Sequence, residues 1–77
     1  MQTRYIGQTK FLVLDGRLFR DTEQAREAIT NIEWARDRLS MPNVRFQNGK
    51  ESHEVANQMI DKAEDTLMDY QVFTAGE

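Results

Sequence analysis

Thr9-Lys10-Phe11-Leu12-Val13-Leu14-Asp15-Gly16-Arg17-Leu18-Phe19-Arg20 is the stretch that decides the fold of this 77-residue chain. Asp15-Gly16 between two apolar runs is the strongest short-range hairpin signal, because a two-residue type I′ turn needs positive φ at both central positions. That turn sets the register. Leu14 falls opposite Arg17, Val13 opposite Leu18, Leu12 opposite Phe19 and Phe11 opposite Arg20, with side chains alternating between faces. One face carries Leu12, Leu14 and Phe19; the other carries Phe11, Val13 and Leu18. A small antiparallel sheet with helices on one side ordinarily turns a polar face to water. Here both faces are apolar, so a second covering is expected.

Upstream, Gln2 to Ile6 reads as a strand, and Gly7-Gln8 is either a tight turn or a bulge. The N-terminal unit is therefore an antiparallel β-hairpin or a three-stranded meander. Downstream, Asp21 is a candidate N-cap with Gln24 reaching back in a capping box. Ala25, Ala28, Ile29, Ile32, Ala35 and Leu39 then form the stripe of a first helix that ends near Ser40 or Met41, before Pro42. The segment from Pro42 to Gly49 is a connector or short strand, with Val44 and Phe46 alternating into the core. Asn48 or Ser52 caps a second helix, whose inward stripe is Ala56, Met59, Ile60, Ala63, Leu67 and Tyr70, ending around Tyr70 or Gln71. Val72 and Phe73 are expected to tuck back onto the core, and Thr74 to Glu77 to fray. The predicted fold class is α+β over residues 1–77 as one small domain, a hairpin or meander followed by two helices packed on one face.

A chain this short buries only about 60% of the surface its unfolded form exposes. Disulfides and thiolate metal sites are excluded, because there is no cysteine, which leaves oligomerisation as the expected supplement. No apolar run approaches the roughly 20 residues that span a bilayer, and Met1 is not followed by a signal-peptide core. The expectation is a soluble, cytoplasmic protein without a membrane partner. Net charge is -3, but it is unevenly spread: residues 1 to 50 sum to +3 and residues 51 to 77 to -6.

Trp34 projects away from the apolar stripe of its own helix, with Thr30, Arg38 and Met41 on the same side. Trp, Tyr and Arg dominate binding hot spots, so this side reads either as an interface or as a surface packed inside the domain. The basic residues Arg4, Lys10, Arg17 and Arg20 of the strands are either solubilising edge charges or phosphate contacts. On the second helix Glu54, Asp61, Asp65 and Asp69 share one side, as a solvated face or as a surface for a basic partner. His53 lies between Ser52 and Glu54, but adjacent helical residues point apart and form no nucleophilic triad.

The leading functional expectation is a non-enzymatic protein-binding module without a cofactor. It is a homodimeric inhibitor or adaptor, of the kind carried by phages and mobile elements, that covers a surface of a larger host protein. Its partner-binding residues are Trp34, Arg38, Thr30, Arg17, Lys10 and Tyr5, and the unused sheet face builds the dimer. One alternative is a DNA-binding regulator using the basic hairpin. A strand before two helices resembles ribbon-helix-helix repressors, which differ in using a single strand per subunit rather than an Asp-Gly hairpin. Another is an oligomeric protein that sequesters a nucleotide with Tyr5, Arg17, Trp34 or Arg38.

Overall fold

The computed structural model describes residues 1–72. Strands β1 (Gln2–Ile6), β2 (Thr9–Leu14) and β3 (Arg17–Arg20) precede helices α1 (Glu23–Leu39) and α2 (Ser52–Met68), and a two-residue strand β4 (Gln71–Val72) follows. The sheet is antiparallel with order β1-β2-β3-β4. The N-terminal unit is thus a meander, extended by a fourth strand.

Asp15 and Gly16 take φ of 54° and 76°, the two positive values of a type I′ turn, and Leu14 pairs with Arg17 as the sequence predicts. Gly7 has φ of 64° and Gln8 does not share a positive φ, so β1 and β2 meet in the type II′ pattern with Ile6 opposite Thr9. Two tight turns therefore fix every register in the meander.

The face holding Leu12, Leu14 and Phe19 receives the helices. These three side chains join Ala25, Ala28, Ile29 and Ile32 of α1 and Ala63 and Leu67 of α2 in one buried cluster. Arg17 lies on the same face. It donates two hydrogen bonds, at 3.1 and 2.9 Å, to the Glu64 carboxylate and sits 5.3 Å from the Phe19 ring centroid, tying β3 to α2 over the core's edge. The α2 stripe is only partly swallowed: Ala56, Ala63 and Leu67 are buried, while Met59, Ile60 and Tyr70 are half-buried.

Several local expectations are corrected. The α1 N-cap is Thr22, whose hydroxyl accepts from the Ala25 amide at 3.1 Å. Asp21 is instead drawn to Arg26 at 3.1 Å and Lys10 at 3.9 Å, and the Asp21–Gln24 capping box does not form. Neither Asn48 nor Ser52 caps α2. Glu51 occupies the cap position without a side-chain bond, and the free amide of His53 is met by Asn43 Oδ1 at 3.0 Å. Val44 and Phe46 do not enter the core; both are exposed, and the connector's only pairing is a single bridge between Arg45 and Glu51. The helix α2 stops at Met68, because Gln71–Val72 leaves it to pair with Leu18 and Phe19. Val72 does return, but to the sheet edge. The expectations for Phe73 and for Thr74 to Glu77 lie outside the described residues.

Asp15 also anchors the turn to α1, its carboxylate accepting two bonds from Arg36 at 3.0 and 2.5 Å. The hydrogen bond and charge of Arg36, with the charge of Arg17, hold the Asp15 carboxyl below its ordinary 3.8 against a smaller desolvation effect. A depressed folded-state pKa stabilises above the unfolded value and is lost as pH falls through the folded one. Asn tolerates the left-handed backbone and makes an equally good type I′ turn before Gly16. Asp15→Asn therefore removes the charge alone. Its unfolding free energy from urea titration should fall below wild type at pH 7 by no more than about 1 kcal/mol, as for exposed pairs, and the gap should close as pH falls below 3.8. A gap independent of pH would show that the ion pair adds nothing.

Candidate functional site

Two 17-residue helices each reach about 25 Å, at 1.5 Å per residue. Strands of four to six residues reach only about 13–20 Å. The sheet accordingly ends at the Asp15-Gly16 turn against Arg36, and the end of α1, the connector and the start of α2 lie past it. The molecule measures 48 × 21 × 20 Å, and its radius of gyration of 14.7 Å exceeds the about 11.5 Å of a compact chain of this length.

That projecting end carries the candidate site. Trp34 is 51% exposed, and Met41, Val44 and Phe46 are each at least two-fifths exposed. Arg38 ties two of them together: its Nη1 donates to Met41 Sδ at 3.6 Å, and its guanidinium lies 6.0 Å from the Phe46 ring centroid. Trp34, Asp37, Arg38 and Met41 line a shallow concavity of about 220 Å³. The patch combines an aromatic, an arginine and a methionine, residue types enriched at the centres of interfaces.

The connector under this patch is held by a polar lattice. Ser52, 1% exposed and the sole buried polar residue of the described chain, donates through Oγ to Asn43 Oδ1 at 3.1 Å and accepts from the Val44 amide at 3.1 Å. The Ser52 amide donates to Val44 O at 2.7 Å, Asn43 Nδ2 donates to Glu51 at 2.9 Å, and His53 Nε2 meets Met41 O at 2.8 Å. A loop side chain thus caps the second helix, and the same bonds fix where Met41, Val44 and Phe46 stand. His53 belongs to this lattice rather than to a chemical centre.

Of the six residues expected at a partner surface, Trp34 and Arg38 come together, and Thr30 is exposed one turn earlier on α1. Tyr5, 65% exposed, pairs across strands with Lys10 at the far end of the sheet, where Lys10 approaches Asp21. Arg17 is spoken for by Glu64 on the helix-facing side. Val44 and Phe46 were missed as members of the site because their alternation suggests a strand; the readable signal was that the helices outrun the strands and leave them no sheet to enter.

Elsewhere, an open groove of about 390 Å³ between the helices has Ala28 and Ala63 among Glu27, Asn31, Lys62 and Thr66. Among the described residues no group of three His, Cys, Asp or Glu side chains is placed to hold a metal ion, and no helix is long and apolar enough to cross a membrane. No family model, curated protein or solved structure matches the chain.

Asn43→Ala should cost about 1 kcal/mol, the usual worth of an N-cap, and speed amide exchange at His53 while Ile29 and Leu67 in the core stay protected. Unchanged exchange at His53 would mean that Asn43 does not hold the helix end.

Proposed function

We propose that this protein is a non-enzymatic binding module, an inhibitor or adaptor, that presents the end of its helical hairpin to a surface of a larger protein partner. The observation that carries this reading is the patch at Trp34, where Trp34, Met41 and Phe46 stand exposed around an arginine already fixed by Met41 and Phe46. Scattered apolar residues on a surface need no explanation, whereas a clustered aromatic and arginine set rimmed by polar groups marks a contact site. Fixing Arg38 and the connector before binding lowers the ordering cost of association.

The reading as a DNA-binding regulator finds less support, since two of the four strand cations, Lys10 and Arg17, are engaged by Asp21 and Glu64 of the same chain. Duplex recognition relies on cations available to phosphate.

The test is affinity capture from host lysate with Trp34→Ala and Arg38→Ala beside the wild type. Both changes lie on the surface and should alter stability by less than about 0.5 kcal/mol. Each should weaken binding to the captured protein by about 2 kcal/mol or more, near thirtyfold, as at a hot spot. Trp34 is the chain's single tryptophan, so its fluorescence should shift to shorter wavelength as the partner covers it. Capture that survives both substitutions would overturn the reading.

A further inference from the structure

The edge of the sheet formed by β1 is built for pairing. A two-residue turn closes on a pair that exchanges both backbone hydrogen bonds, so the Ile6–Thr9 closure directs the amides and carbonyls of Gln2, Arg4 and Ile6 toward β2. By alternation, those of Thr3 and Tyr5 point away from the sheet. No strand of the described chain lies on that side. All five β1 residues are exposed. Natural edges are blunted by charged side chains, proline, a bulge or shortness; β1 carries a single charge, Arg4, and neither proline nor bulge over its five residues, whereas β4 at the opposite edge is two residues long.

We propose that β1 pairs antiparallel with β1 of a second copy across a two-fold axis, joining two four-stranded sheets into one. This gives the dimer surface for the binding module proposed above and rests on that reading only in supposing that the module works as a pair. Self-pairing through Thr3 and Tyr5 allows three registers. Centring the axis on Arg4 sets Arg4 directly against Arg4 of the second copy, a like-charge pair that destabilises. Centring it on Tyr5 leaves Gln2 and Met1 beyond the overlap. Centring it on Thr3 pairs Met1 with Tyr5, Gln2 with Arg4 and Thr3 with Thr3 over five residues, with no like charges opposed. Met1 and Tyr5 are both more than half exposed in the single copy, and each covers the other in this register.

The second sheet face is a poorer dimer surface than its sequence suggests. Leu18 is only 5% exposed, and Phe11, Val13 and Val72 are half-buried. Within the strands two basic residues, Arg4 and Arg20, interrupt the apolar side chains of this face.

The test uses sedimentation equilibrium of the full chain across the micromolar range. Wild type should dimerise. Thr3→Pro removes the outward amide without touching a bond to β2, so it should be monomeric with an unchanged circular dichroism spectrum. The absence of cysteine permits a second readout that does not depend on proline. In the Thr3-centred register the two Thr3 Cα atoms lie about 5.5 Å apart, within the about 4.4–6.8 Å span of a disulfide. Thr3→Cys should oxidise to a covalent dimer and Arg4→Cys should not. A monomeric wild type, a Thr3→Pro variant that stays dimeric, or crosslinking at Arg4→Cys in place of Thr3→Cys would each overturn the proposal. The capture experiment at Trp34 is read separately, since a monomeric Thr3→Pro chain keeps that patch.

Discussion

Everything in this fold hangs on the backbone that Asp15 and Gly16 adopt. Their two positive φ values permit a two-residue turn whose twist matches that of the strands, and a turn of that length has one register. The register puts Leu12, Leu14 and Phe19 on a common face, where α1 and α2 bury them. A slip of one residue would send Phe11, Val13 and Leu18 to the helices instead. The same turn carries the Asp15 carboxylate to Arg36 and Arg17 to Glu64, so one local conformation sets both the sheet and its attachment to each helix.

The consequence for surfaces is that the molecule has two unequal ends. Short strands cover only part of two long helices; past the strands Met41, Val44 and Phe46 stand exposed, beside Trp34, which points away from the core stripe of its own helix. Stability at that end comes from hydrogen bonds rather than burial. The Asn43, Ser52 and His53 lattice satisfies the amides of Ser52 and His53 at the start of α2, and no buried side-chain polar atom is without a partner among the described residues. Rigid apolar side chains on a hydrogen-bonded support suit a contact surface, because little freedom remains to be lost on binding.

The turn, the pairing of β2 with β3 and the stripe of α1 were legible in the sequence because each follows from nearest neighbours: a dipeptide that tolerates positive φ, a period of two and a period of 3.6. What escaped depends on groups distant in the chain. By type Asp21 is the better cap, yet Thr22 takes the position while Lys10 and Arg26 hold the Asp21 carboxylate. Asn43 caps α2 from ten residues before His53, beyond the reach of any local capping pattern. Two residues are too few for β4 to show a period, and its pairing is decided by where α2 ends. At the candidate site Trp34 and Arg38 could be placed by angle alone, whereas Phe46 required knowing that the sheet stops short.

Backbone amide exchange by NMR tests the register most directly, because each strand's amides alternate between a bonded and an unbonded side. In dilute solution the account predicts slow exchange at Leu12, Leu14 and Phe19 and, within β1, slower exchange at Arg4 and Ile6 than at Thr3 and Tyr5. Protection of Thr3 and Tyr5 with open amides at Arg4 and Ile6, or fast exchange at Leu12, Leu14 and Phe19, would contradict it, since each pattern requires a strand shifted by one residue against its neighbour.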